Sequence, residues 1–221
     1  MSNTDSFIEE VTEEVRRDRL FALFRRYGWI GAVLVLAIVG GTAWTQYAQS
    51  RAAAEAEARG DALLTALQAP GDAERAAALE AVAVDGPAAA IAGFLTADAQ
   101  LTAGEAAAAV ATLEAVADDP EVEPIYRELA QLKALLADTG RPAAERAAAL
   151  EPLGQPGAPF RLVALEAQAL AQVEAGDTDA ALATLQALIE DASVTGGLRE
   201  RASTLIVALG GTPGGSAAAG E

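Results

Sequence analysis

Between Tyr27 and Tyr47 the chain runs YGWIGAVLVLAIVGGTAWTQY, without a single charged side chain. At about 1.5 Å per helical residue this stretch spans roughly 31 Å, the thickness of a bilayer's hydrocarbon core. Tyr27 and Trp29 stand at one end and Trp44 and Tyr47 at the other. Such rings prefer the headgroup depth, where one edge is wet and the other apolar. The stretch is therefore expected to be a transmembrane helix.

Arg16, Arg17, Arg19, Arg25 and Arg26 precede the span, whereas only Arg51 and Arg59 closely follow it. The bias of arginine toward the cytoplasmic side predicts an N-in orientation, with the C-terminal part across a bacterial inner membrane in the periplasm. A cleaved signal peptide is the competing reading, with Ala48-Gln49-Ser50 as a small-x-small cleavage site. The long acidic region before the span and the length of the apolar run favour an uncleaved signal-anchor. On these grounds the chain divides into a cytoplasmic amphipathic arm (1–26), the membrane helix (27–47), a repeat domain (48–210) and a disordered tail (211–221).

Of the net charge of −17, the arm contributes 5 basic and 6 acidic side chains, so almost all of it lies beyond the span. An acidic domain is repelled by nucleic acid and by anionic headgroups. The chain contains no Cys and no His. Their absence removes disulfides, nitrogen and sulfur metal sites and the commonest nucleophile–base pairs. The glycine-rich run Gly210 to Gly215 lacks the Gly-Lys-Ser/Thr ending of a phosphate loop. No catalytic residue, cofactor, metal or small-molecule substrate is expected, and the protein is read as a non-enzyme.

In the arm, Ser6 and Glu9 have capping-box spacing, with Phe7, Val11 and Val15 recurring at four-residue steps. This predicts either an interfacial or docking helix or a stub that fixes topology. Small residues four apart in the span (Gly28 and Ala32; Ala37, Gly41 and Thr45) form strips where another membrane helix could pack closely.

Past Tyr47 the chain is Ala-rich, and only Phe94, Tyr126 and Phe160 remain of its ten aromatics. That composition predicts helix throughout. Residues 73–80 (AERAAALE) recur letter for letter at 144–151, and Ala111-Thr112-Leu113 recurs as Ala183-Thr184-Leu185. Leu79, Leu113, Leu150 and Leu185 mark half that spacing, while Tyr126-Arg127, Phe160-Arg161 and Leu198-Arg199 mark the alternate helices. Gly71, Gly104, Gly140 and Gly176 fall between the helices of each pair, and Gly86-Pro87, Glu123-Pro124, Ala158-Pro159 and Gly196-Gly197 fall ahead of the next pair. Four helix pairs are expected, over 51–83, 88–117, 124–152 and 160–191, with a capping helix at 197–209.

A pair of helices every 34 residues or so is the period of tetratricopeptide repeats. Ala175-Gly176-Asp177-Thr178-Asp179-Ala180-Ala181 resembles their Gly-Asp-x-x-x-Ala turn, while Arg141-Pro142 after Gly140 departs from it. The expected fold is all-α: one N-terminal transmembrane helix followed by a tetratricopeptide-like solenoid. In such a stack the first helix of each pair lines the concave side. Phe94, Tyr126 and Phe160 are assigned to first helices. They are either core or, with Arg127 and Arg161, a partner groove.

Several stretches together resemble a known family: Glu13-Glu14-Val15-Arg16-Arg17-Asp18, Arg25-Arg26-Tyr27-Gly28, Ile125-Tyr126-Arg127, Pro159-Phe160-Arg161, Gly176-Asp177 and Gly197-Leu198-Arg199-Glu200-Arg201-Ala202. The layout is similar to the YfgM-like ancillary subunits of the bacterial SecYEG translocon. That resemblance implies association with Sec translocon subunits and a membrane-anchored periplasmic chaperone of the prolyl-isomerase class, assisting exported chains. The alternative is an envelope signalling or assembly adaptor whose cytosolic arm holds a regulator.

Overall fold

The computed structural model describes residues 3–84 and 87–214; the side chains of residues 3–24, 27, 28, 32 and 87 lie outside that description. Nine α-helices follow one another: α1 (Asn3–Leu67), α2 (Asp72–Glu80), α3 (Pro87–Thr102), α4 (Ala106–Asp118), α5 (Pro124–Ala137), α6 (Ala143–Leu150), α7 (Arg161–Glu174), α8 (Thr178–Glu190) and α9 (Gly196–Ala208). A short 3-10 helix, Glu151–Gly154, extends α6. No strand occurs among the described residues. The chain separates into two units, Met1–Ala58 and Arg59–Glu221.

The first unit is the long part of α1. It contains the one described helix that is long and apolar enough to cross a membrane. Trp29, Leu36, Trp44 and Tyr47 are all exposed, and Trp44 retains 73% of its surface. Polar groups inside the span are satisfied locally, as an apolar medium demands. The Thr42 hydroxyl reaches the carbonyls of Ile38 and Val39, both at 3.0 Å, and that of Thr45 reaches Thr42 O at 2.9 Å. One expectation fails here: α1 already runs from Asn3, so Ser6 lies within the helix and is not its N-cap.

The second unit is built by helices that pack on their neighbours in sequence: α2 on α3, α3 on α4, α4 on α5, and α6 through α9 likewise. Its core is a succession of small clusters, each shared by consecutive helices. Leu79 and Ala76 meet Ala66 and Ala99; Leu113 and Ala109 meet Ala97 and Ala134; Leu150 and Ala147 meet Leu132 and Ala164; Leu185 and Leu188 meet Ala169, Ala202 and Ile206. The leucine series read from the sequence is thus the buried series, since Leu79, Leu113, Leu150 and Leu185 are each at most 1% exposed.

The expected first pair, 51–83, is only partly a pair. Residues 51–59 are exposed, and α1 joins the core through Leu63, Ala66 and Leu67 alone. Two turn assignments also shift. Gly196 and Gly197 form the first turn of α9, which is capped by Thr195 accepting from Leu198 N, so they do not precede the helix. Phe160 is the N-cap position of α7, one residue ahead of the helix that was to contain it. Gly86 lies outside the described residues.

The 71–72-residue repeat extends to individual hydrogen bonds. Gln100 accepts from the Thr112 hydroxyl at 2.9 Å, and Gln172, 72 residues on, accepts from the Thr184 hydroxyl at the same distance. Glu105 N closes onto Gln100 O at 2.8 Å and Asp177 N onto Gln172 O at 2.9 Å. Between them Gly104 (φ +82°) and Gly176 (φ +80°) take the left-handed conformation that releases the chain from one helix to the next. After the second helices, Glu121 N donates to Asp119 Oδ1 and Ser193 N to Asp191 Oδ1, at 2.8 and 2.7 Å.

The turn at Gly140 is built differently, as Arg141-Pro142 implied. Asp138, ahead of the glycine, accepts from Arg141 N at 3.1 Å and Arg141 Nε at 2.9 Å, and Gly140 does not take positive φ. This contrast sets a test. Gly104→Ala and Gly176→Ala put a Cβ on left-handed backbone and should each destabilise the chain by about 1–2 kcal/mol. Gly140→Ala, whose Cβ would meet nothing nearer than Asp138 Oδ1 at 3.7 Å, should be tolerated. Denaturant unfolding of the three full-length variants measures the difference.

Candidate protein-interaction face

The residues singled out for a partner groove do not share one environment. Phe94 is half-buried and packs against two core clusters, one formed with Ala90, Val116 and Ala130 and the other with Ala97, Leu113 and Ala134. Phe160 is half-buried against the Leu132, Leu150 and Ala164 cluster. Tyr126, on the first turn of α5, remains 38% exposed. Arg161 is ion-paired to Asp191. The Arg127 side chain has no ion pair, and the Nε atoms of both arginines are buried without a hydrogen-bond acceptor. The structure therefore offers Tyr126 and the Arg127 guanidinium to solvent and puts the two phenylalanines against core.

Of the membrane residues, Trp29, Trp44, Tyr47, Ala37, Gly41 and Thr45 are exposed on α1. A Cβ added at Gly41 would meet nothing within 4 Å. The side chains of Tyr27, Gly28 and Ala32 lie outside the described residues.

The sequence reading overlooked a signal carried by aliphatic residues. In the second unit the exposed large apolar side chains are Leu64 on α1, Ile91 and Leu101 on α3, Ile125, Tyr126 and Leu136 on α5, Val163 and Leu170 on α7, and Val207 on α9. All of them are on odd-numbered helices. Among the described residues α2, α4, α6 and α8 expose none. Ile91 and Val163 stand 72 residues apart, so the repeat that predicts the core also marks one of these exposed positions.

Charge is divided along the same line. From Arg59 onward, the odd-numbered helices carry six basic side chains (Arg59, Arg127, Lys133, Arg161, Arg199, Arg201) and six acidic ones (Asp61, Asp98, Glu128, Glu166, Glu174, Glu200). Everything else in that unit carries three basic side chains and eighteen acidic ones. Those three, Arg75, Arg141 and Arg146, are each ion-paired, to Asp72, to Asp138 and Glu114, and to Glu174. One set of helices is thus neutral and apolar, and the remainder is strongly acidic and solvated.

Between α7 and α9 the apolar side chains surround a groove of about 670 Å³, a size typical of ligand sites. Leu185 of α8 forms its floor, and Leu170, Ala202, Leu205 and Ala208 its sides. Arg201 grips Glu166 across the groove with two bonds, Nε to Oε1 at 2.7 Å and Nη2 to Oε2 at 2.8 Å. That pair raises the Arg201 pKa above its ordinary value. Among the described residues no group of acids is arranged to hold a metal ion.

No family model, curated protein or solved structure matches the chain.

Two experiments follow from this geometry. Phe94→Ala and Phe160→Ala should destabilise the protein toward the lower end of the about 3–5 kcal/mol typical of buried phenylalanine, because both are partly covered. Tyr126→Ala should leave unfolding nearly unchanged.

The second concerns Asp191, whose pKa is lowered from 3.8 to about 2, first by the Ser193 hydroxyl and amide and then by Arg161. A depressed folded pKa contributes stability that is fully present above the unfolded value and is lost as pH falls through the folded one. The stability gap between wild type and Asp191→Asn should therefore be constant near neutrality and close between pH 3.8 and about 2. A gap independent of pH in that window would show that the charge contributes nothing.

Proposed function

We propose that the region beyond the 27–47 span is a tetratricopeptide-like solenoid of about four helix pairs and a capping helix. In this reading α1, α3, α5 and α7 supply the first helices, α9 is the cap, and the whole serves as a membrane-anchored protein-binding scaffold. The observation that carries this is the confinement of exposed large apolar side chains to odd-numbered helices. Scattered apolar residues are ordinary on any surface, but their complete exclusion from alternate helices is not. Apolar area that selection for solubility has left uncovered marks an interaction surface, and acidic neighbours keep the rest of the unit dissolved.

The helix–turn–helix order, the 71–72-residue repetition of core and turns, and the Asp177 cap accepting from Ala180 N at 3.1 Å support the repeat assignment. The flanking arginines support an N-terminus in the cytoplasm and a C-terminal unit in the periplasm. Taken with the sequence resemblance, the partners in this reading are Sec translocon subunits, a membrane-anchored periplasmic chaperone and exported chains passing between them. The chemistry required is docking alone, and no bond is made or broken.

Photo-crosslinking in intact membranes tests the reading. A crosslinker placed at Leu136 or Leu170 should yield protein adducts, whereas one at Glu145 or Asp179, exposed on α6 and α8, should yield few. Equal yields at all four would remove the basis for an odd-helix binding face. A periplasm-dependent reporter fused at Glu221 should be active, and an inactive fusion would reverse the orientation.

A further inference from the structure

We propose that the groove between α7 and α9 receives a short basic polypeptide segment, with a leucine-sized side chain entering between Leu170 and Leu205. This inference refines the protein-binding reading above and rests on it. The groove's interior is apolar: Leu185 is fully buried at its floor, Ala202 and Ala208 are too short to fill it, and Leu170 is left 51% exposed at its edge. A branched aliphatic side chain matches such a space, because it removes apolar surface on both partners from water without adding a polar group that the walls cannot satisfy.

Charge selects among apolar segments. Three charged residues line the groove, Glu166, Glu200 and Arg201. Both oxygens of Glu166 are taken by Arg201, so this guanidinium is already satisfied and offers little to an incoming anion. The Glu200 carboxylate is exposed and has no ion pair among the described residues. Arg199, the other cation of α9, does not line the groove. From Arg59 onward the chain carries nine basic and twenty-four acidic side chains, a field that steers cations inward and repels acidic segments. The same field disfavours a second copy of this chain as the occupant.

The test uses the full-length chain in nanodiscs of zwitterionic lipid, with empty nanodiscs as blank, and three fluorescent peptides of equal length. One alternates leucine with lysine, one leucine with glutamate, and one serine with lysine. The leucine–lysine peptide should bind at least about tenfold more tightly than either of the others, a difference of about 1.4 kcal/mol. Its affinity should fall as ionic strength is raised. Leu170→Asp and Leu170→Ala should each weaken it severalfold or more, Glu200→Lys should weaken it severalfold, and Ile91→Asp, on α3, should leave it unchanged.

If the leucine–glutamate peptide binds equally well, the charge argument is overturned. Equal losses in Leu170→Asp and Ile91→Asp would overturn the groove while leaving the odd-helix face standing. So would failure of all three peptides to bind a chain whose Leu136 and Leu170 crosslinks do form. Absence of those crosslinks is instead the failure of the protein-binding reading itself. Concentration-dependent self-association that Leu170→Asp abolishes would assign the groove to a second copy and end the proposal.

Discussion

Two helices can approach no closer than the side chains between them allow, and in this chain alanine sets that distance. Ala97, Ala109, Ala169 and Ala181 are at most 1% exposed, and each lies beside a turn that returns the chain along its predecessor. Close backbones leave room for few large side chains, so one leucine per second helix fills the space between neighbours. Gln100 shows how tightly the arrangement is specified. At 1% exposure it must have its polar atoms satisfied, and it takes Thr112 on one side and Glu80 on the other. A leucine there would orphan the Thr112 hydroxyl, and a lengthened turn would move Thr112 out of reach. The recurrence of this bond as Gln172–Thr184 ties α7 and α8 to the same geometry as α3 and α4.

Such packing determines where the remaining chemistry can go. Alanine-rich helices have little apolar area to spend, and the second helices commit all their large side chains to the core. The odd-numbered helices have neighbours on both sides yet retain aliphatic residues beyond those the core uses. Ion pairs follow the same division. Arg146–Glu174 and Arg201–Glu166 link one helix to another across the unit, while Arg75–Asp72 stays within one turn of α2. Exposed pairs of this kind contribute little stability each. Their consequence lies in satisfying cations that would otherwise recruit acidic partners to a surface already short of positive charge.

The helical content, the span and the buried leucine series were legible because each depends on periodicity, which sequence displays directly. Gly104 and Gly176 were legible for a different reason: a left-handed turn strongly favours glycine, and the same letters recur 72 residues apart. The start of α1 was not. Ser6 and Glu9 have the spacing of a cap, but nothing in that spacing prevents the preceding residues from being helical. Gly196 and Gly197 misled in the same way, since glycine is tolerated in a first turn when Thr195 supplies the cap. The candidate site was read least well. Aromatics were chosen for their size, yet in a unit so poor in them Phe94 and Phe160 are needed for packing. Ile91, Leu136, Val163 and Leu170 differ from core aliphatics only in helical phase relative to their neighbours. That phase becomes visible once the faces of each helix are assigned.

The scale of the groove bears on why such a scaffold would be anchored at all. Fully burying one or two leucine side chains contributes roughly 1.5–6 kcal/mol. Association in solution costs an estimated 4–15 kcal/mol in lost translational and rotational freedom. A binding face with so few large apolar side chains is therefore weak for a freely diffusing partner, and added ion pairs at its rim change rate more than residence. Confinement alters the balance without adding a contact. Two chains held in the same membrane meet at an effective concentration that a dilute soluble pair does not reach, and linkage of this kind can raise apparent affinity by about 10²–10⁴. On the proposed reading, the uncharged run from Tyr27 to Tyr47 is part of the binding equilibrium. It supplies through proximity what an alanine-rich surface cannot supply through area.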